Sequence, residues 1–600
     1  MEAVLKSALC WIIVVILFTA AVNGDEIMPL GEVKRGMTGI GRTVFKGTEI
    51  EEFKVEILGV IQSGGPRQNM ILAKLSGGPL EKTGVIQGMS GSPVYVGNRL
   101  IGAVSSSFPF STEAIAGITP IEEMISTTSS NSPTPAASTQ TSAAPIAGIK
   151  KMLTFEELGA AFRRPAEAGS SALTYVQTPV AISGLNQATI DAFMPIFRSC
   201  NVTPIAGGNT NGTFEKAINQ SREPLKPGSA ISVQLIRGDM EFSYIGTVTY
   251  IDKDRVYAFG HPVFNMGPTQ FPMAQAEVIA LLPNLNSSFK IASTTTVVGT
   301  IEQDRSSAIA GRIGTRARMI PMNIRIETSM NSKEQYRFEI VSDKNLTHIL
   351  ALMATLSAIT SRERALGQNT LRMSASINLD TGTPVIVSDL FAGDNTANGV
   401  AYTLATALYY ILNNPYKTVT VNSIDMEVHA EETQKSARLD RIDFDRTAYR
   451  PGRTVKMKVH LRGLNDEPIV EEASFEMPKS AKPGELILYI GDGQTLTSLE
   501  SSDLQGGDLY PQTYSQLIRT LNNQRRNNHI YFRLLDRRPG LVMRGEDMSD
   551  LPPSAASIIT SRGNTLSSRR MYLSPIFDAE LPTDYSIDGY RLLQIKIQDF

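Results

Sequence analysis

The sequence predicts a mainly β protein with some helix, divided into several domains. Three observations carry that reading. At 600 residues the chain exceeds the roughly 250–300 residues that one core can support. Short runs rich in Val, Ile and Thr recur between turns, in a chain with 47 Gly and 32 Pro. Residues 126–149 shift abruptly to Ser, Thr, Pro and Ala, a linker composition with too little apolar surface to pack.

The elements follow in order. Residues 1–24 read as a signal peptide: Lys6 precedes an apolar run from Ala8 to Val22, and a cut is expected ahead of Asp25. That run is too short for a membrane span, which needs roughly 20 apolar residues. Export, to a periplasmic or extracellular location, is expected. Residues 25–125 carry strand candidates at Arg42–Phe45, Phe53–Val60, Met70–Leu75, Val94–Val96 and Leu100–Val104, with a hairpin signal at Gly97-Asn98. Regular short strands with Gly-rich turns predict a small barrel. Residues 150–420 read as mixed α/β. Helices are expected at Phe155–Phe162, Gln187–Arg198, Leu346–Arg362 and Gly399–Leu412, and strands at Ala230–Ile236, Phe242–Tyr250 and Arg255–Phe259. Residues 421–530 predict a β-sandwich with strands at Val419–His429, Arg438–Phe444, Thr454–Arg462 and Glu485–Ile490, and a turn at Arg450-Pro451-Gly452. The polar, Arg-rich residues 531–600 receive no fold assignment.

Composition excludes several functions. A net charge of −2 and no long basic run give no electrostatic footing for nucleic acid. There is no His-Glu-x-x-His, no paired Cys-x-x-Cys and no Walker loop, so neither a metal nor another cofactor is expected. Gly207-Gly208-Asn209 reads as a turn. Once Cys10 leaves with the signal, Cys200 stands alone and reads as an inert thiol. Asn-x-Ser/Thr triplets at Asn201, Asn211, Asn219, Asn286 and Asn345 are short enough to arise by chance.

The chemistry-bearing stretch is Gly88-Met89-Ser90-Gly91-Ser92-Pro93, between two apolar runs. A serine between glycines turns tightly, presents its hydroxyl and leaves backbone N–H groups to face a reacting carbonyl. It is not the Gly-x-Ser-x-Gly elbow, because Ser92 replaces the last glycine and no helical pattern follows. Gly-x-Ser-Gly spacing favours Ser90 over Ser92. A serine nucleophile needs a base, and the chain has five histidines. His348 lies in a helical pattern and reads as capping or packing. His429 and His460 fall on strands of the predicted sandwich, and His529 in an Asn-rich segment. His261, after Gly260 and before Pro262, stands where a strand leaves its sheet.

Residues Gly84 to Pro93, followed by Gly97-Asn98-Arg99-Leu100-Ile101-Gly102-Ala103-Val104, closely resemble the nucleophile segment of the SpoIVB peptidase family, serine peptidases known from bacterial spore-formation signalling. Gly246–Tyr250 through Ala258-Phe259-Gly260-His261-Pro262 is similar to that family's histidine segment, and Gly299–Gly311 is a weaker match. The resemblance implies a chymotrypsin-like double β-barrel split by the linker, with Ser90 as nucleophile, His261 as general base, and the N–H groups of Gly88 and Ser90 as oxyanion hole. It implies a serine-type endopeptidase acting on a protein or peptide substrate. A C-terminal sandwich would bind substrate or an envelope protein partner. Here serine precedes histidine and no PDZ-like stretch lies upstream, which reads as a permuted or divergent branch. The family's acidic position falls near Ser76. Asp304 is a candidate replacement, whereas Asp252 and Asp254 read as hairpin-turn residues. With the linker between serine and histidine, an active site requires the two units to dock. The competing reading is a non-catalytic envelope protein that keeps the fold for binding.

Overall fold

The computed structural model describes residues 26–62, 69–108, 111–129, 152–159, 174–199, 202–206, 224–284, 287–328, 332–361, 369–503, 511–537, 540–543, 546–548, 552–559, 568–571 and 573–598. The predicted signal peptide, Cys200 and Gly207-Gly208-Asn209 lie outside these residues, as do Asn201, Asn211, Asn219 and Asn286.

Six strands close the first barrel: β1 (Thr38–Val44), β2 (Ile50–Ile61), β3 (Met70–Ser76), β4 (Pro93–Val96), β5 (Arg99–Ser107) and β6 (Ile115–Pro120). Alternation sets their faces. Along β3, Ile71, Ala73 and Leu75 point into the barrel while the intervening residues are half-buried. Around the ring the strands run β1-β2-β3-β6-β5-β4 and back to β1, all antiparallel. Strand β6 had no counterpart in the sequence reading, since Gly117 and Pro120 interrupt its apolar pattern.

Beyond the short strands β7 (Thr174–Tyr175), β8 (Thr178–Ser183) and β9 (Val202–Ala206) comes a second ring of six. Its strands are β10 (Ala230–Gly238), β11 (Glu241–Asp252), β12 (Arg255–Ala258), β13 (Gly267–Leu282), β14 (Phe289–Arg305) and β15 (Ala308–Ile313). The order β10-β11-β12-β15-β14-β13, closing on β10, repeats that of the first barrel. The same sheet continues through β16 (Met319–Thr328), β17 (Lys333–Val341), β18 (Asn369–Leu379), β19 (Val385–Gly393) and β20 (Val421–Glu431). Helices Thr347–Thr360 and Thr396–Leu412 bury Leu350, Met353, Leu404 and Leu408 in the largest core. The chain is therefore mainly β, with two barrels followed by a sandwich.

Several expectations need correction. Residues 150–420 are dominated by one large sheet. The long β13–β14 hairpin was illegible because Pro268, Pro272 and four shifts of register obscure its alternation. Strand β20, expected to open the sandwich, pairs parallel with β16 and antiparallel with β18 instead. Its inward Ile424, Met426 and Val428 complete the central core, so His429 is not a sandwich residue. The predicted linker begins inside a helix, Ile121–Ser129, whose Ile121 and Met124 pack between the barrels. No helix among the described residues is long and apolar enough to cross a membrane.

The C-terminal sandwich stacks the sheet Ser436–Phe444, Thr454–Arg462, Pro468–Glu476 and Ser586–Asp588 on the sheet Ala448–Tyr449, Gly484–Gly491, His529–Asp536, Ser574–Pro582 and Tyr590–Ile597. Residues 531–600, unassigned from the sequence, thus supply sandwich strands. A chain ended at Asn527 would remove both hydrogen-bonding neighbours of Gly484–Gly491 and the core residues Ile530, Phe532, Leu534 and Ile595. Each such side chain contributes about 1.5–3 kcal/mol by burial. The truncated protein is expected to lose a calorimetric transition and to bind a hydrophobic dye; retention of the full-length melting profile would contradict this assignment.

Candidate functional site at the seam between the barrels

Both candidate catalytic residues sit on corresponding connections. Ser90 lies between the third and fourth strands of its barrel, β3 and β4, and His261 between the third and fourth of the other, β12 and β13. The two connections meet at the seam, and small residues explain why they can. A Cβ on Gly91 would lie 2.0 Å from the Thr247 carbonyl oxygen and 2.5 Å from the Phe259 nitrogen. Only a glycine permits that approach, and its φ of +93° also demands one. Across the seam, Gly260 at φ +69° packs against Ala103 and Ser105 of β5.

Hydrogen bonds then fix the register of the loop. The Thr247 N–H donates to the Ser90 carbonyl at 2.9 Å, and its hydroxyl to the Gly88 carbonyl at 3.0 Å. The Thr249 hydroxyl donates to the Gly91 carbonyl at 2.7 Å. Within the first barrel, Gly91 N–H donates to Val104 O at 2.8 Å and Val104 N–H to Ser92 O at 3.0 Å. Reciprocally, the Thr119 hydroxyl of the first barrel donates to Gly260 O at 2.7 Å. The Thr247 and Thr249 hydroxyl bonds are buried and the Thr119 bond is part-buried, and each such bond contributes about 0.5–1.5 kcal/mol. Apolar contacts flank them: Tyr95, Leu100 and Ala103 meet Tyr257, Ala308 and Ala310 on one side, and Val44 meets Ile245 and Val278 on the other. The docking that the sequence required between the serine and histidine units is present.

Ser90 is fully buried, and its Oγ makes no hydrogen bond among the described residues. The same holds for Ser92 Oγ. The N–H groups of Gly88 and Ser90 donate to no backbone carbonyl among the described residues, whereas their own carbonyls are held by β11. His261 is 2% exposed and flanked by the rings of Tyr175 and Phe259, at centroid distances of 5.5 and 5.9 Å. Its Nδ1 lies 2.9 Å from the Pro262 carbonyl oxygen. A carbonyl only accepts, so Nδ1 carries a proton, and the neutral tautomer compatible with this bond has its lone pair at Nε2. The approach to His261 is strained: Phe259 adopts φ +70°, unusual for a bulky residue, and its ring fills the notch left by Gly246.

Asp304, the acidic candidate, closes the fifth strand of the second barrel and is fully buried. Its carboxylate accepts from the N–H groups of Val263 (2.8 Å), Phe264 (2.7 Å) and Met266 (3.4 Å). Asp304 thereby fixes the loop that follows His261. Burial pushes its carboxyl above the usual range, and the backbone N–H groups oppose that shift. Ser76 ends β3, opposite Lys54.

The other histidines have structural surroundings. His348 bonds the Leu158 carbonyl at 3.1 Å, stacks edgewise on Tyr409, and is driven down to about 4 by burial. His429 faces Glu327 at 3.3 Å, His460 faces Asp443 at 2.7 Å, and His529 contacts Asn528. The described residues hold no cluster of three or more His, Cys, Asp or Glu placed to bind a metal.

Lys290 went unnoticed in the sequence. It sits on β14, fully buried, with its stem 3.2 Å from where a Gly88 Cβ would be and its amine donating to Thr43 Oγ1 at 2.8 Å. Its N–H donates to Gln87 O at 3.1 Å, at the entrance to the serine loop. Burial alone lowers its pKa to about 7. Nothing in Phe289-Lys290-Ile291 marks a buried amine. Thr247 and Thr249 lie on the expected strand Phe242–Tyr250, two residues apart and so on one face, but nothing in the sequence singled either out.

Residues 21–125 match the family model described as SpoIVB peptidase S55, so the serine-bearing barrel is similar to that family. The match covers the whole serine loop and ends before His261. Neither a curated protein nor a solved structure matches the chain.

Two outcomes follow from the seam. Gly91→Ala is expected to destabilise by roughly 3 kcal/mol or more, through overpacking and backbone strain together. Thr249→Val, which strands one buried carbonyl, should cost about 1–3 kcal/mol. Denaturant melts would rank the two, and an unperturbed Gly91→Ala protein would refute the close approach. For Lys290, the folded chain sheds its proton near pH 7 while the unfolded chain holds it to 10.5. Between those values unfolding takes up a proton, so stability rises with pH, by at most about 1.4 kcal/mol per unit. The Tm advantage of Lys290→Met over wild type should therefore shrink from pH 7 to pH 10; a constant offset would contradict the buried, neutral amine.

Proposed function

We propose that this chain, whose first barrel matches the SpoIVB peptidase family, is an exported serine endopeptidase cleaving protein substrates through an acyl-enzyme. The observation that carries this reading is the fixed juxtaposition of two equivalent connections, one bearing Ser90 and the other His261, at the barrel seam.

In this reading Ser90 Oγ attacks the scissile carbonyl carbon and His261 Nε2 takes its proton. The Nδ1–H bond to Pro262 O selects the tautomer that can do so. The developing oxyanion faces the N–H groups of Gly88 and Ser90, which meet it without reorganising because β11 already holds the loop. Collapse expels the amine, which receives the proton from His261; water then attacks the acyl-enzyme by the same relay in reverse. Asp304 acts one step removed, by fixing the loop beyond His261. The hydrogen bond between Ser90 and His261 forms when substrate enters, as catalytic bonds often tighten only in the complex. The C-terminal sandwich is assigned to binding substrate or an envelope partner.

A second reading is favoured by one observation: Ser90 Oγ is buried without a hydrogen-bond partner among the described residues. A site that has lost its base contact would serve as a non-catalytic envelope binding module.

A fluorophosphonate probe decides between them. Wild type is expected to be labelled at Ser90, with labelling lost in Ser90→Ala, reduced at least ~100-fold in His261→Ala and retained in Ser92→Ala. Equal labelling of wild type and Ser90→Ala would sink the nucleophile assignment, and absence of labelling in every form would favour the binding reading.

A further inference from the structure

The edge of β5 carries three different neighbours in succession. Residues Arg99 to Ala103 pair with β4. At Val104 the partner is the serine loop, through Gly91 N–H and Ser92 O. Beyond that point β4 has diverged, and the exposed edge is taken by a segment from far along the chain. Tyr175 stands opposite Ser106 and Thr174 opposite Ser107, antiparallel, and the Val176 N–H donates to Ser105 O at 2.9 Å.

This segment then runs across the candidate site. The Tyr175 ring lies 5.5 Å from the His261 ring. Gln177 Oε1 accepts from Gln87 Nε2 at 2.8 Å, one residue before the serine loop, and from Thr203 Oγ1 at 2.9 Å. Pro179 Cγ approaches within 3.2 Å of where a Gly88 Cβ would be. Residues 175, 177 and 179 thus touch the site from the base to the oxyanion loop, as the two-residue period of an extended chain allows. Beneath them Ser90 is 0% exposed and His261 is 2% exposed. An extended segment adding to a strand edge beside a serine loop has the form in which a peptide is held by β-augmentation.

We infer that residues 174–177, ahead of β8, are an intramolecular strap occupying the peptide-binding edge of β5, and that substrate is an extended peptide segment which must displace it. The inference rests on the peptidase reading for the identity of the site, and adds its substrate geometry and its regulation. The strap is tethered, so it competes at the high effective concentration of an intramolecular ligand. Yet it holds β5 over only Thr174 to Val176, which leaves it displaceable. The free fraction of the edge sets the apparent affinity for any external peptide.

The test uses the full chain carrying Ser90→Ala, so that binding is read without cleavage. A fluorescent peptide copy of residues 174–181 is titrated by anisotropy. Val176→Pro removes the donor to Ser105 O, and Gln177→Ala, at an exposed side chain, removes only the contacts to Gln87 and Thr203. The peptide is expected to bind Val176→Pro at least ~10-fold and Gln177→Ala several-fold more tightly than the parent, while a scrambled peptide does not bind. Equal affinity across the three folded proteins, or binding to none, overturns the strap. If Val176→Pro does not fold, Gln177→Ala decides. Fluorophosphonate labelling of the corresponding Ser90 proteins is scored separately. Tighter peptide binding without labelling of any form would leave the strap standing and remove the peptidase reading.

Discussion

The close approach of Gly91 to strand β11 is the constraint on which the rest of the site depends. A side chain at that position would collide with the Thr247 carbonyl. Without one, the loop settles deep enough for Thr247 and Thr249 to bond three successive parts of it, the carbonyls of Gly88, Ser90 and Gly91. The contact does two jobs. It joins barrels that the chain separates by more than a hundred residues, and it orients the carbonyls of the serine loop toward β11. A loop whose carbonyls are already engaged has lost most of the freedom that would otherwise be frozen out during a reaction, which is the structural meaning of preorganisation.

The repeated strand order explains why the two connections meet. Both barrels follow the same ring, and each sends its third-to-fourth connection to the seam. Serine and histidine arrive by the same route from opposite sides, so their order along the chain is immaterial to the geometry. Buried charge-bearing groups then support each side. Asp304 satisfies the N–H groups of the turn after His261. Lys290 packs under Gly88 with one hydroxyl partner. Neither has an ion-pair partner among the described residues, and burial shifts each toward its neutral form. A neutral group in a low-dielectric seam avoids the desolvation penalty that a full charge would carry.

How much of this was legible depended on whether the signal was local. The serine loop was readable because a tight Gly-Ser turn has a compositional signature. Five of the six strands of the first barrel were readable from their short apolar runs, and β6 was not. His261 was singled out by its neighbours Gly260 and Pro262, and the structure places it at the seam. Strand β20 was misplaced because pairing partners are set by long-range packing, and its apolar face fits a sandwich as well as a central sheet. The strands after residue 530 were hidden by their exposed faces, rich in Arg, Glu and Asp, such as Arg533 with Asp578. Lys290 was invisible because burial of a single lysine leaves no trace in its neighbours. The acidic role of Asp304 was foreseen only in part: the residue was identified, but its bonds go to the backbone of the turn.

A buried hydroxyl without a hydrogen bond is costly, about 1–3 kcal/mol, and two occur in one loop, at Ser90 and Ser92. A purely structural loop would gain by replacing such hydroxyls with alanine, or by turning them toward one of the carbonyls nearby. Here the carbonyls of Gly88, Ser90, Gly91 and Ser92 each already accept from a donor on β11 or β5, and neither hydroxyl bonds to any of them. The scaffold thus engages the carbonyls of the loop while leaving its hydroxyls, and the N–H groups of Gly88 and Ser90, without a backbone partner among the described residues, at the meeting point of two barrels and under an extended strap. Native structures concentrate such unsatisfied groups and strained residues, Phe259 among them, where an incoming group will relieve them. The energetic imbalance at the seam is therefore an argument for a ligand that supplies the missing partner, and a peptide carbonyl with its neighbouring N–H groups has the required polarity and reach.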